Sequence, residues 1–394
     1  MKVTTGLTLV VVASALFACF GPVTPTAALP PDPDNAALLY YQAFLLVPQT
    51  DDRALADMLA NVANGATPPN DQAKEYIKNC RLAIDCALTA TKLQHCNWGM
   101  QYSRGFSAPL PYLAQVRSLS RLILADARIL AAQGDHRRGL ERCLATYRLA
   151  GHVGDEVLIS FLVGVAVSAQ ASKCVTDILG QMPADVGTLA WLKSQLAAVP
   201  AASLTASKSL ALEQEVALET LRPERIDDLP GILGDSGAMS AEEIRKVVNE
   251  AVLERARDHY LKYTAAALAI LSSQTPYVES CAKLQELGDQ IEQAAAKDPA
   301  VQLVKMIAAG MKKIYVLQVR QKADFNALEA AVDVYLAKAG TGRLPASLPT
   351  ASPRDPYTGG EFKYEPTGNG FVLRCGAKDL ERNEVREYRF ATPK

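Results

Sequence analysis

PYLAQVRSLSRLILADARILAAQGDHRRGLERCLATYRLAGHVG, residues 111–154, is the stretch whose reading decides the fold. Leu113, Val116, Leu119, Leu122 and Ile123 recur at intervals of three and four, which lines one face of an α-helix. Gln133-Gly134-Asp135 then interrupts the pattern. Glycine tolerates the backbone of a tight turn, and an aspartate just before a helix accepts one of its unpaired N–H groups. Leu140, Leu144, Tyr147 and Leu149 carry a second apolar stripe. Two helices joined by so short a turn lie antiparallel, so the unit is a helical hairpin of the tetratricopeptide type. It does not recur at a 34-residue period, and the expectation is a stack of hairpins rather than a regular repeat array.

Working outward, the helical pattern runs from Asn35 to about Ala339. Upstream lie a segment over 36–47 that stops before Pro48, a second over 51–64 closed by Gly65, and a third from the cap Asn70 to about Leu93. Downstream, residues 157–169 are apolar almost throughout. That run is too short to span a bilayer and is flanked by Asp155, Glu156 and Lys173, so it reads as a helix buried on all sides. Further helices are expected over 184–198 and 203–221, with a loop over 222–237. Ser240 and Glu243 form a capping box that opens a long helix to about Ser273. Helices over 277–297 and 300–339 follow, the last with a break near Gly310.

At Gly340 the composition changes to Gly, Pro and Thr, and three short stretches rich in aromatic and branched residues follow, at 361–365, 371–375 and 386–390. A sheet this small needs a helix to pack against, and the preceding one is nearest. The expected architecture is therefore mainly α. A tetratricopeptide-like helical-hairpin bundle over 35–310 is followed by a small α+β domain over 311–394, a long helix with a three-stranded antiparallel sheet.

The start of the chain reads as an address. Met1-Lys2 precedes an uncharged apolar run from Gly6 to Phe20, the pattern of a secretory signal over residues 1–28. Two processing routes fit: cleavage after Thr26-Ala27-Ala28, or acylation at Cys19, since Leu16-Phe17-Ala18-Cys19 resembles the lipobox of bacterial lipoproteins. On the second route the Pro-rich residues 22–33 form a tether, and the membrane is reached only through the lipid. The protein is expected outside the cytoplasm, in the periplasm or at the outer membrane, or secreted.

Lys and Arg number 41 against 42 Asp and Glu, a net charge of −1 with no basic stripe, which argues against nucleic-acid binding. Setting Cys19 aside, seven cysteines remain, an odd number that leaves at least one unpaired within the chain. Cys80 and Cys86 point to different sides of one helix, whereas Cys96 could fold back on either. No phosphate-binding loop, His-Glu-x-x-His or Gly-x-Ser-x-Gly motif occurs. A Cys–His nucleophile pair would draw on Cys96 or Cys143 with His95 or His152, and adjacent His95 and Cys96 do not face each other well. The expectation is a non-enzymatic binding or scaffold protein that recognises protein or peptide partners of the cell envelope, with an unrecognised hydrolase site as the contrary reading. The aromatic loop Trp98, Tyr102 and Phe106 supplies the candidate contact residues.

Two resemblances bear on this. Gly342-Arg343-Leu344-Pro345, Asp355-Pro356-Tyr357-Thr358-Gly359, Phe362-Lys363-Tyr364 and Gly370-Phe371-Val372-Leu373-Arg374-Cys375-Gly376 resemble the globular end of the major pseudopilins of type II secretion. Such domains often hold calcium in the loop after a Ser-Gly. Here Cys375 stands in place of that Ser, and Asp379 and Glu381 are the acids the resemblance implies as ligands; no other cofactor is implied. Docking against a secretion or pilus-like machine through this unit is the alternative function it suggests. Asn35-Ala36-Ala37-Leu38-Leu39-Tyr40, Cys96-Asn97-Trp98, Gly134-Asp135 and residues 158–163 are similar to a family of uncharacterised exported bacterial helical proteins, which implies architecture and no reaction.

Overall fold

Capping side chains set most of the helix boundaries. Asn35 accepts the Ala37 N–H and starts α1 (Ala36–Leu46), and Asp52 starts α2 (Arg53–Asn64), which ends on Gly65 at φ +71°. Asn70 starts α3 (Asp71–Asn79). The single helix expected from Asn70 to Leu93 is two: the backbone kinks at Cys80, and α4 (Arg81–Ala90) leaves in a new direction. Arg81 thereby reaches Asp126 of α5 (Tyr112–Ala132). Gly134 at φ +86° makes the turn to α6 (His136–Gly154), where Asp135 accepts the Arg138 N–H. The hairpin is as the spacing implies.

The structure, a computed structural model, describes residues 29, 31–49, 52–199, 204–234 and 239–392. The signal and lipobox expected over residues 1–28, Cys19 included, lie outside the described residues. The chain divides into two units, Met1–Asp34 and Asn35–Lys394.

Helix α7 (Leu158–Leu179) extends ten residues past the apolar run. It is long and apolar enough to cross a membrane, yet most of it is buried among its neighbours. Then come α8 (Val186–Ala197), α9 (Ala206–Thr220) and, inside the segment expected to be loop, the short α10 (Leu229–Leu233). The Ser240–Glu243 capping box forms, but its helix, α11 (Ala241–Val247), is brief. Val248 is extended and Asn249 caps a new helix, α12 (Glu250–Leu271), so one expected helix is again two. The competing cap at Asn249 offers the backbone an alternative that periodicity alone does not register. Helices α13 (Tyr277–Ala295), α14 (Pro299–Ile307) and α15 (Met311–Thr341) complete the helical part, with the break at Gly310 where it was expected.

The sheet has the order β1 (Lys363–Thr367), β2 (Gly370–Asp379), β3 (Glu384–Ala391), all antiparallel. Leu373 pairs with Tyr364 on one side and Tyr388 on the other, and a bulge lies between Arg374 and Lys378. Phe371, Leu373 and Cys375 are buried, and the Phe371 ring packs edge-on against Tyr335 of α15 at 5.4 Å. Gly370 cannot be replaced freely, because a Cβ there would sit 1.9 Å from the Phe390 carbonyl oxygen.

The largest core joins α2, α3 and α5–α8 to α15 and the sheet. Phe325 of α15 meets Tyr147 edge-on, Gln321 donates to Ser168 at 3.1 Å, and Lys193 pairs with Asp333 at 2.6 Å. Residue 310 is thus a break between helices, and the packing runs across it. A second core forms around Trp98 under α1, and two smaller ones knit α9–α14 together.

Candidate functional site

The aromatic loop was the sequence's candidate for recognition, and the structure uses it as a fastener. Trp98 is 2% exposed. Its indole is stacked on Tyr112 at 4.5 Å and on Tyr40 at 5.4 Å, and its N–H donates to the His152 carbonyl at 3.0 Å. A buried indole needs a partner for its N–H, and this carbonyl supplies it. Tyr102 donates to Glu156, and burial pushes its phenol well up. Gly105, at φ +59°, lies against Thr220, whose hydroxyl accepts the Phe106 N–H at 2.8 Å, and Phe106 packs on the core around α9–α12 and α14. The loop ties the first hairpins to α9. Trp98 is therefore corrected from a contact residue to a core residue, while Tyr102 and Phe106 are half-buried.

His152 does face a cleft, of about 580 Å³, with Lys92, Gln94, Arg148 and Asp155 around it. Its Nδ1 is 2.9 Å from the Tyr40 hydroxyl. Burial lowers its pKa, opposed by a bond to the Leu93 backbone. With Nδ1 engaged by the Tyr40 hydroxyl and the ring largely buried, His152 serves the packing of α1 against α6. Asp155 is paired with Lys208 at 2.5 Å. Cys96 is a poor nucleophile, because burial pushes its thiol up to about 12 and only the thiolate attacks. Cys143 and Cys174 are fully buried in one core cluster, and among the described residues no histidine shares that cluster with them. His259 lies 3.9 Å from Asp298, a carboxylate that Arg255 also engages at 3.2 Å.

The acids near the sheet are likewise committed. Asp379 is fully buried, and one of its oxygens receives Arg320 at 2.8 Å and Tyr357 at 3.2 Å. The other receives the N–H groups of Glu381 and Arg382 at 3.0 and 3.1 Å. Four donors saturate a carboxylate, so Asp379 serves Arg320 and the turn where the resemblance implies a calcium ligand, while Glu381 is exposed. Among the described residues no group of three or more His, Cys, Asp or Glu is placed to share a metal ion. Nearby, Asp324 pairs with Arg386 at 2.5 Å and accepts the Tyr388 hydroxyl at 2.9 Å.

What the fold leaves open lies on the other side. Helix α1 is apolar on every face, and only one face can be buried. Leu38, Leu45 (85% exposed) and Leu46 remain outside, and Leu82 (70% exposed) joins them from α4. The two helices lie side by side, with the Cys86 thiol donating to the Leu39 carbonyl at 3.2 Å. At the end of α1 a groove of about 220 Å³ has a floor of Phe44, Val47, Leu55, Leu59, Tyr76 and Leu122. Gln115, Ser118 and Arg121 of α5 form its rim. Arg121 is exposed and has no ion pair among the described residues. Periodicity missed this surface because a helix apolar all round announces no face; the four exposed leucines become visible only once its neighbours are in place.

No protein-family model, curated protein or solved structure matches the chain at a significant level.

Proposed function

We propose that the protein is a non-enzymatic binding or scaffold component of the bacterial cell envelope, and that it recognises its partner through the α1–α4 face and the adjoining groove. The observation that carries this is the run of exposed leucines, Leu38, Leu45, Leu46 and Leu82, beside an apolar groove with an uncommitted arginine at its rim. Contiguous apolar surface rimmed by polar groups marks interaction sites in soluble proteins. The groove has room for one or two side chains rather than a metabolite, and Arg121 complements a carboxylate. The occupant that fits is a peptide segment of an envelope protein offering a bulky apolar residue to the floor and an acidic residue to Arg121. The signal-like start of the sequence supports the location, and the committed state of His152, Cys96 and the buried acids supports binding over catalysis.

Sheet augmentation has less to recommend it. The β1 edge is only five residues long and contains Pro366, which cannot donate to an added strand.

Selection from a random peptide library on the immobilised protein tests the reading. The expected winners pair a bulky apolar residue with a nearby Asp or Glu, and Arg121→Glu shifts the preference toward Lys or Arg. Enrichment of peptides indifferent to Arg121→Glu and to Leu45→Asp, or no enrichment, would sink it.

A further inference from the structure

Seven cysteines are described, and the fold brings two of them face to face. Cys143 on α6 and Cys174 on α7 are both fully buried and lie in the same core cluster, their thiols in mutual reach. Burial raises the Cys143 thiol, and the two thiols sit close enough to influence each other's protonation.

The two helices pack closely. They run antiparallel with small residues at the seam. A Cβ on Gly164 would lie 2.7 Å from the Ala150 carbonyl oxygen and 3.0 Å from the Gly154 Cα. At the other end a Cβ on Gly139 would meet the tip of Ile178 at 3.3 Å. Between these points the Tyr147 hydroxyl and Ser172 Oγ are 2.7 Å apart. Cys143 and Cys174 fall in this register, between the Gly139–Ile178 and Tyr147–Ser172 contacts, and a disulfide needs Cα atoms within about 4.4–6.8 Å. The other thiols have different neighbours: Cys80 meets Tyr76, Cys86 meets Leu39, Cys281 meets Tyr277, and Cys375 meets Asp355 and Tyr388.

We propose that Cys143 and Cys174 close into a disulfide that staples α6 to α7 when the chain folds in an oxidising medium. The co-reactant is a disulfide of the exchanging class, such as glutathione disulfide or the active-site disulfide of a thiol oxidase. One cysteine thiolate attacks it, forming a mixed disulfide and releasing one thiol. The second cysteine then attacks the mixed disulfide, the protein S–S bond forms, and the second thiol leaves. Two protons and two electrons pass from the protein to the oxidant. Neither sulfur is accessible in the folded state, so the bond forms while the α6–α7 hairpin is assembling and before the core closes over it. This inference does not depend on the proposed partner surface.

Trypsin cuts the chain so that Cys143–Arg148 and Cys174–Lys193 each carry one cysteine. The test is to refold the full chain from guanidinium with reduced and oxidised glutathione, block free thiols, digest without reduction and map the peptides by mass. The expected result is a linked pair of these two peptides, 2 Da below their sum and split by reductant. Free Cys86 and Cys96 remain, and Cys86→Ser and Cys96→Ser leave the link intact. The oxidised chain should melt roughly 5 °C above the reduced one, as closing a loop of this length implies. Absence of the link, or a dominant link between other cysteines, overturns the proposal.

Discussion

Asp126 lies at the centre of the α5–α6 hairpin and accepts the Nε–H of Arg142 at 2.7 Å, with both residues nearly out of contact with solvent. Arg81 closes on the same carboxylate from α4 with two further bonds, at 2.7 and 3.2 Å. Replacing Asp126 with Ala strands the Arg142 cation in the interior, and breaking such a pair from one side costs about 3–5 kcal/mol. Denaturant unfolding of Asp126→Ala should show that loss. Asp126→Leu with Arg142→Met should recover most of it, because Arg81 can turn to Asp85, which it already approaches at 3.9 Å.

The turn before the sheet depends on Asp355 in a similar way. One of its oxygens accepts the Tyr357 N–H, and the other accepts the Thr358 hydroxyl at 2.9 Å and the Gly376 N–H of β2 at 2.7 Å. Asp355→Ala should cost about 2 kcal/mol for the orphaned donors. Hydrogen exchange gives the sharper readout: the Gly376 and Tyr357 amides should lose protection while those of α5 and α6 keep theirs.

Stability should depend on pH through His152. Burial holds its folded pKa below the ordinary value of 6.5, so the unfolded chain binds the proton more readily. The stabilisation is complete above about pH 6.5 and is lost as pH falls toward the folded pKa. Melting temperature measured from pH 8 to pH 5 should fall across that window, and His152→Gln should flatten its own part of the slope. An unchanged slope in His152→Gln would mean that the imidazole is not held neutral by its Tyr40 and Leu93 partners.

Gly164→Ala tests the close approach of α6 and α7. Its new methyl would meet backbone rather than a side chain that can move aside, so the helices must part. Overpacking of this kind costs about 1–3 kcal/mol. It should also lower the yield of the Cys143–Cys174 link under oxidative refolding.

Much of the fold was legible because its signals are local. The hairpin over 111–154 follows from apolar spacing and the Gly134-Asp135 turn, and the Gly310 break and the three strands follow from punctuation and residue type. Cys80 and Asn249 were missed for a common reason. Periodicity continues across both, and the chain is bent there by what a side chain does next, Arg81 reaching for Asp126 and Asn249 capping its own helix. Trp98 was read as a contact residue, whereas its place is in the interior between Tyr40 and Tyr112. Local sequence does not say which surface covers an aromatic loop. The leucines of α1 and α4 were unreadable for the converse reason, since exposure is fixed by which neighbours fail to arrive.

The seating of β3 has a consequence for timing. Helix α15 takes cover from α7 and α8, made long before it, and from strands made after it, with Tyr335 donating to the carbonyl of Ala391. The ribosome must therefore finish nearly the whole sequence before the largest core can close. Until then the smaller core around Trp98, built from residues 36–167, already has all its parts. Contacts so distant along the chain also slow the final collapse. A core that depends on strands made last cannot lock before the chain is complete.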